Sequence, residues 1–278
     1  MPLLLLFFTF TMLTTPVIAE GLPNRKVEIV DGRSDKSNSA PLVIVLHAFL
    51  ERSETIRKKT NFDALAQKHG FIVAYPDGVM RRWNDGRSPR NKVDDVAYLS
   101  ALISTLTDDG RVDASRVYLA GHSNGGGMAM RMACDRASLV RGIAVIATKT
   151  PARYRCEHGS PVPTIIFHGT ADPIAPSAGR AEDNRLGGAL SADAMLELLI
   201  ARNGCSGASN TRIIDQHDDG TTAEVRKYSG CQASLIHVLI HGHGHAWPGA
   251  GERFVRLQGP ATREVDAAVI SWRFFQEN

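Results

Sequence analysis

Short apolar runs that have the composition of buried strands alternate with helix-like segments along almost the whole chain, and this alternation restricts the fold strongly. The runs are Val27–Val30, Leu42–His47, Phe71–Tyr75, Val117–Ala120, Gly142–Ala147, Thr164–Phe167 and Leu235–Ile240. They are rich in Val, Ile and Leu without polar–apolar alternation, so both faces of each strand should be buried. We therefore predict an α/β fold with a mostly parallel central sheet and helices on both faces.

Helical patterns separate these runs. Val96, Leu99, Ile103 and Leu106 recur at helical spacing and mark one apolar stripe. Residues Ile213–Tyr228 have the pattern of a strand–turn–strand excursion before the last core strand. The chain has no internal repeat, low-complexity tract or linker rich in Pro and Ser, so we predict one domain over residues 20–278.

The first residues differ from the rest of the chain. Leu3–Leu13 is an uncharged apolar run, and Val17-Ile18-Ala19 follows it after a proline. This pattern is typical of a signal peptide, which we predict over residues 1–19 with cleavage after Ala19. No Lys or Arg precedes the run, and the alternative is an uncleaved anchor, for which the run is short and interrupted by Thr and Pro. We expect a secreted or periplasmic protein with no membrane partner once the leader is removed.

Four cysteines are compatible with that route: Cys134, Cys156, Cys205 and Cys231. None forms a CxxC pair, which argues against a zinc or redox site. In an oxidising compartment we expect two structural disulfides, and four cysteines allow three pairings. Sequential pairing would stabilise the fold by about 3 kcal/mol per bridge. Four buried free thiols are the alternative if the chain is not exported.

Charge excludes some classes of partner. The formal net charge is +3, from 32 basic and 29 acidic side chains that are mixed along the chain. The one local basic stretch, between Arg81 and Lys92, is interrupted by acids and turn residues. This balance gives no reason to expect nucleic acid or an anionic membrane as partner.

The strongest local pattern is the Gly-His-Ser-Asn-Gly sequence of Gly121–Gly125, which follows a strand candidate and opens a helix. Glycines two residues either side of the serine allow the sharp strand-to-helix turn that raises a nucleophilic hydroxyl above the sheet edge. A glycine-rich helix start with an exposed serine is the alternative. The strand–turn–helix setting favours a nucleophile, and we predict that role for Ser123.

A serine hydroxyl is a weak nucleophile and needs a base, which in turn needs an orienting acid. In hydrolases with such a turn, the acid and then the histidine follow at the ends of later strands. Asp172 comes directly after the strand Thr164–Phe167, and we predict that it is the acid, with a turn-forming role before Pro173 as the alternative.

Three histidines compete for the role of base after the last core strand: His241, His243 and His245. Their alternating His-Gly spacing is also compatible with a metal site. No cysteine or carboxylate lies nearby in sequence to complete a tetrahedral set, so we expect no metal.

Further short motifs follow one another in a fixed order. They are Leu46-His47, Tyr75-Pro76-Asp77-Gly78, Trp83-Asn84, Val93-Asp94-Asp95-Val96, Gly121–Gly126, His168–Pro173, Asn203-Gly204-Cys205 and His245-x-Trp247-Pro248-Gly249. In this order the chain resembles the poly(3-hydroxybutyrate) depolymerase-like esterases and the feruloyl esterases of carbohydrate esterase family one, over roughly residues 25–276.

The resemblance implies an α/β-hydrolase fold in which residues 20–278 form a single catalytic domain. It selects His245 as the base, because in the family this histidine precedes x-Trp-Pro-Gly. Ser123, Asp172 and His245 would then form a catalytic triad. The resemblance also implies that the four cysteines pair in sequential order.

Further site residues are predicted beside the triad. Backbone N–H groups of Asn124 and Phe49 are the expected oxyanion donors. The family usually has glycine where this chain has Ala48, and a positive φ there would strain the alanine. We predict that Trp83 and Trp247 line the substrate cleft, with ordinary core packing as the alternative.

These expectations describe an exported serine ester hydrolase that forms an acyl-enzyme and needs no cofactor. Its expected partner is a small or oligomeric ester, of the hydroxyalkanoate type. The first alternative is a feruloyl or acetyl esterase that acts on plant polysaccharide. A metal-dependent hydrolase would use the His241/His243/His245 run, and a non-catalytic secreted binding protein on a hydrolase scaffold would explain Ala48.

Overall fold

A computed structural model describes residues 25–148, 150–151, 156, 159–179, 189–250 and 255–278. The leader predicted over residues 1–19 lies outside these described residues. The strands are β1 Val27–Asp31, β2 Ala40–Leu46, β3 Ile72–Pro76, β4 Val112–His122, β5 Gly142–Ile146, β6 Thr164–Gly169, β7 Gly207–Ile214, β8 Thr222–Ser229 and β9 Leu235–His241. The helices are α1 Ser53–Lys59, α2 Phe62–His69, α3 Asp95–Asp108, α4 Asn124–Asp135, α5 Ala192–Arg202, α6 Val255–Gln258 and α7 Ala267–Gln276.

The nine described strands form one sheet in the order β1-β3-β2-β4-β5-β6-β9-β8-β7. The six central strands, from β3 to β9 in that order, pair in parallel. The edge strands β1, β8 and β7 pair antiparallel. The predicted α/β fold is confirmed, and the excursion predicted from Ile213–Tyr228 is the β7–β8 hairpin, which begins earlier, at Gly207.

The burial of alternate residues of β2 on opposite faces of the sheet explains why the central strands have unbroken apolar sequences. Leu42, Ile44 and Leu46 are fully buried in a cluster with side chains of α3, α4 and α5. Val43 and Val45 are fully buried in a second cluster with side chains of α2 and α7. Helices on both faces therefore require apolar residues at every position of the strand.

Two helix ends match their sequence signals. Gly70 ends α2 with φ 74°, the left-handed conformation that glycine adopts without strain. Asp94 caps α3 by accepting a hydrogen bond from the Ala97 N–H at 2.9 Å. Its neighbour Asp95 has a different role, because it is buried and forms an ion pair with Arg25 at 2.5 Å.

Two disulfides join the cysteines in sequential order, Cys134 to Cys156 and Cys205 to Cys231. This confirms the pairing that the family resemblance implies. Within the described ranges, no helix has both the length and the apolar character needed to cross a membrane.

Candidate active site

Ser123 lies between the last residue of β4 and the first residue of α4, with φ 53° and ψ −113°. This backbone conformation is strained for a residue with a side chain. The Ser123 N–H donates to Ile146 O at 2.8 Å, and Thr148 Oγ1 donates to Ser123 O at 3.0 Å. These contacts with the end of β5 and the residues after it hold the turn in place.

The two glycines of the motif leave no room for a side chain. A Cβ atom at Gly121 would lie 2.2 Å from Gly125 O, and one at Gly125 would lie 2.3 Å from Leu46 O. Both distances are far below van der Waals contact. The sharp turn predicted from the motif is present, and it brings the end of β2 against the start of α4.

Asp172 follows β6 in a buried position. Its Oδ1 accepts hydrogen bonds from the N–H groups of Ile174 at 2.8 Å and Ala175 at 2.6 Å. Its Oδ2 lies 2.6 Å from Nδ1 of His245. Burial alone would raise the pKa of Asp172, but the hydrogen bonds from His245 and the two N–H groups outweigh burial and lower the pKa. The carboxylate is therefore ionised at neutral pH.

His245 is buried, and its Nδ1 is occupied by Asp172, so the ring carries its proton on Nδ1 and leaves the lone pair of Nε2 available. The ring centroid lies 5.3 Å from that of His122, the residue before Ser123. Among the described residues, no hydrogen bond joins the Ser123 hydroxyl to His245. Such bonds are often long before substrate binds, and the proton-accepting role of His245 stays a prediction.

The other two histidines of the run have separate partners. His243 is buried, its Nδ1 accepts from the Thr262 N–H at 3.1 Å, and its Nε2 donates to Ala246 O at 3.0 Å. His241 is exposed on β9, 3.4 Å from Glu224. The residues that the structure describes contain no group of three or more His, Cys, Asp or Glu placed to hold a metal ion. The three imidazoles therefore do not form a ligand set.

The first predicted oxyanion donor is well placed in its helix. Asn124 is the first residue of α4, so its backbone N–H has no partner inside the helix. Its side chain is fixed: Oδ1 accepts from the Trp83 N–H at 2.7 Å, and Nδ2 donates to Asp85 Oδ2 at 2.9 Å. This anchoring holds the start of α4, and with it the backbone N–H, in one orientation.

The second predicted donor, Phe49, lies in the loop after β2. Ala48 is buried and is not among the residues with positive φ, so the strain expected from the missing glycine does not occur. Leu50 has φ 65° instead, and its N–H donates to Arg81 O at 2.8 Å. The left-handed residue of this loop is therefore Leu50, two positions after Ala48.

The two tryptophans that were predicted to line the substrate cleft are buried. Trp83 and Trp247 are each only 2% exposed and belong to the cores on opposite faces of the sheet. Trp83 Nε1 donates to His47 O at 3.1 Å, which braces the end of β2. Trp247 packs edge-on against Phe62. The large apolar rings fill the core beside the site.

Sequence reasoning missed two side chains that support the site. Asp85 follows the Trp83-Asn84 motif and is buried, and its carboxylate anchors Asn124. His122 is part of the serine motif, is fully buried, and bonds to the backbone of His245. Asp85 lies next to a motif and His122 lies within one, and this position was the sequence signal available for both. Their hydrogen-bond partners, however, lie on distant segments of the chain.

Comparisons with known proteins agree with this geometry. Residues 34–151 match the family described as Esterase PHB depolymerase. The chain is 29% identical over 207 residues to feruloyl esterase D of Neurospora crassa, covering 73% of this chain and 61% of that protein. It is 27% identical over 221 residues to feruloyl esterase B of Piromyces equi, covering 75% of this chain and 40% of that protein.

Among solved structures, an acetyl xylan esterase from Aspergillus awamori superposes with a TM-score of 0.60 at 15% identity. The match covers 84% of this chain and 93% of that one, and at this identity it shows the fold alone. The family match confirms the resemblance carried by the motifs, and the superposition shows the α/β-hydrolase fold: the chain has this fold and is similar to the poly(3-hydroxybutyrate) depolymerase-like and feruloyl esterases.

Proposed function

We propose that this protein is a serine carboxylic-ester hydrolase that works through an acyl-enzyme. The observation that carries the proposal is the buried Asp172–His245 pair, with 2.6 Å between Oδ2 and Nδ1. It lies beyond the ends of the parallel strands β6 and β9, at the same sheet edge as the strained Ser123. An orienting acid, a base and a half-buried serine nucleophile at one edge are the parts that acyl transfer needs.

The proposed reaction has two halves. His245 Nε2 accepts the Ser123 hydroxyl proton while Oγ attacks the ester carbonyl carbon, and backbone N–H groups of Asn124 and Phe49 stabilise the oxyanion. The tetrahedral intermediate collapses, the protonated His245 gives its proton to the departing alcohol, and the acyl group stays on Ser123. Water, deprotonated by His245, then attacks the acyl carbon, the bond to Ser123 Oγ breaks as His245 returns the proton to Oγ, and the acid is released.

Asp172 has two tasks in this scheme. Its hydrogen bond to Nδ1 keeps the imidazole in the tautomer that can accept a proton at Nε2. Its negative charge stabilises the imidazolium that forms at each step. The lowered pKa of Asp172 serves both tasks, because the carboxylate remains ionised while the ring gains and loses its proton.

For the substrate, we propose an ester with an apolar group beside the carbonyl, of the hydroxyalkanoate type, either small or oligomeric. Large apolar side chains are exposed on loops that follow the sheet strands: Phe49 is 54% exposed, Met80 74% and Ile174 39%. The loops of Phe49 and Met80 are joined by the Leu50–Arg81 hydrogen bond. Exposed apolar groups near a candidate site support an apolar ligand.

A feruloyl or acetyl esterase acting on plant polysaccharide is the second candidate. It is supported by the names of the relatives, which are feruloyl esterases of two fungi, and by the fold of the acetyl xylan esterase. A feruloyl group is also apolar at its ring, so the exposed side chains are compatible with both candidates.

The described contacts do not support the two remaining alternatives, a metal-dependent hydrolase and a non-catalytic binding protein. The metal-dependent alternative needs His241, His243 and His245 to converge, and each has a different partner. The non-catalytic alternative depends on strain at Ala48, and Ala48 has no positive φ. Export to the periplasm or the medium stays part of the proposal, supported by the two disulfides.

The test is an ester panel. It includes p-nitrophenyl esters from acetate to dodecanoate, methyl ferulate and hydroxybutyrate oligomers, with the wild type and Ser123→Ala side by side. We expect turnover by the wild type, loss of at least about 1000-fold in Ser123→Ala, and no effect of a chelator. Equal rates for the two proteins, or loss of activity with the chelator, would contradict the proposal. The ratio of hydroxybutyrate to ferulate turnover decides between the substrate candidates.

A further inference from the structure

The loop that carries His245 is fastened at several points. The His245 N–H donates to Gln258 O, and the neighbouring Gly244 N–H donates to Pro260 O at 2.7 Å. His243 bonds to Ala246 O from within the loop. A further contact comes from the strand that precedes Ser123: His122 Nε2 lies 2.8 Å from His245 O, across 123 positions of the chain.

His122 is well suited to hold this carbonyl. It is the last residue of β4 and directly precedes the turn that carries Ser123. Its side chain is fully buried, with the ring 5.3 Å from that of His245 and 6.2 Å from that of Trp247, to which it is nearly perpendicular. Full burial between these two rings restricts rotation of the imidazole away from the carbonyl.

The chemical state of the ring follows from its contacts. A carbonyl oxygen can only accept a hydrogen bond, so Nε2 of His122 carries the proton. Its Nδ1 has no partner within the described part of the chain. Burial lowers the pKa of His122 well below the usual value, so the ring stays neutral at the pH at which an esterase works.

We infer that His122 is a positioning residue for the base: its Nε2–H holds the backbone carbonyl of His245 and so fixes the distance between the His245 ring and the Ser123 hydroxyl. His122 precedes the nucleophile directly, so one side chain ties the backbone beside Ser123 to the backbone of His245. Because Asp172 orients the ring but lies on a third segment, it cannot set this distance alone. This inference rests on the proposed function.

The physical consequence is a change in rate. A base displaced by a fraction of an ångström transfers its proton less well, and misplacement of about 1 Å costs about 100-fold. Substrate binding would be less affected, because His122 is fully buried and does not reach the cleft. Loss of the hydrogen bond should therefore lower kcat and leave KM nearly unchanged.

The test compares three variants of the full-length protein. In His122→Gln the side-chain amide reaches the place of Nε2 and can donate to the carbonyl. In His122→Asn the shorter amide reaches only the place of Nδ1, and His122→Leu has no donor. We expect kcat of His122→Gln on p-nitrophenyl acetate to stay within about 3-fold of the wild-type value. In His122→Asn and His122→Leu we expect kcat to fall about 10- to 100-fold, while KM stays within about 2-fold of the wild-type value.

A second readout separates positioning from mere stability. The proton between His245 and Asp172 gives a far-downfield proton NMR signal, which we expect in the wild type and His122→Gln and expect to be shifted or broadened in the other two variants. Thermal melting is measured for all. If the His122→Leu variant does not fold, the comparison is made with His122→Asn, because that variant keeps a buried amide.

Two results would overturn the inference: kcat unchanged in the folded Asn or Leu variant, or kcat as low in Gln as in Asn. Either leaves the proposed function intact, provided that Ser123→Ala is inactive. If Ser123→Ala keeps its activity, the proposed function fails first, and the His122 inference falls with it.

Discussion

The side chain of Asn124 pairs with the backbone of Trp83 in both directions: the Trp83 N–H donates to Oδ1 at 2.7 Å, and Nδ2 donates to Trp83 O at 3.1 Å. The same Nδ2 donates to Asp85. The residue after the proposed nucleophile thus uses its whole amide to fix a loop that follows β3, while its backbone N–H has no helical partner and is available for the proposed oxyanion.

Replacing this amide should cost stability. Asn124→Ala leaves the Trp83 N–H and the Asp85 carboxylate short of a partner in a buried place, so we expect a loss of about 2 to 3 kcal/mol in the free energy of unfolding. Urea denaturation measures it. The control is Asn210→Ala on the exposed strand β7, where we expect a change below about 0.5 kcal/mol. Equal losses at both positions would contradict the role of the Asn124 amide.

Asp172→Asn should abolish most activity without unfolding the protein. The amide oxygen can keep the hydrogen bonds from Ile174 and Ala175, but the amide NH₂ would face His245 and force the proton onto Nε2. The ring then cannot accept the serine proton, and we expect kcat to fall about 1000- to 10,000-fold. Steady-state kinetics and thermal melting check this. The exposed Asp218→Asn serves as control, and a kcat within 10-fold of the wild type in Asp172→Asn would exclude the proposed role.

His237 should make the protein less stable in acid. It is 2% exposed on β9, neither ring nitrogen has a partner among the described residues, and burial lowers its pKa to about 3. In the unfolded chain the pKa is about 6.5, so below that pH the unfolded state binds one more proton. The contribution to stability is complete above pH 6.5 and is lost as the pH falls toward 3, by up to about 1.4 kcal/mol per pH unit.

Removing the imidazole tests this directly. In His237→Leu we expect the free energy of unfolding, measured by urea titration between pH 7 and 4, to fall less steeply than in the wild type. The exposed His217→Leu should keep the wild-type slope. Parallel curves for the wild type and His237→Leu would show that His237 does not govern acid stability.

The exposed apolar side chains beside the site should control chain-length preference. In Phe49→Ser and Met80→Ser we expect kcat/KM on p-nitrophenyl octanoate to fall about 3- to 10-fold, because two or three buried methylene contacts are lost, while the value on acetate changes little. Leu198→Ser is the matched control, since Leu198 is 44% exposed on α5, away from these loops. An equal loss on both esters would contradict an apolar binding role.

The fold was predictable because each of its signals is local. Apolar runs without alternation predict parallel strands, as β2 shows, and a serine between glycines after a strand predicts the turn of Ser123. β4 was harder: it begins at Val112, five residues before the predicted run, because Ala40 pairs with Val112 beyond an irregularity in the register. Those first residues are largely exposed and polar, so no apolar run marks them.

The candidate site was predictable only in part. Spacing placed Asp172, but the family resemblance was needed to choose His245 among three histidines. The supporting contacts of Asn124 and His122 join segments 39 to 123 positions apart, and no local pattern reveals such a pair. The sequence could not decide the role of Trp83 and Trp247, because an indole suits a cleft wall and a core equally well. The φ of Ala48 likewise depends on how its whole loop folds.

The most direct measurement is identification of the acyl-enzyme. The wild type is mixed with excess p-nitrophenyl acetate, quenched in acid within the first turnovers, and digested for peptide mass spectrometry. We predict one acetyl group on Ser123, with a matching burst of p-nitrophenol, and neither in Ser123→Ala. Sustained turnover with no acyl group on Ser123, or with the group on another residue, would contradict the account.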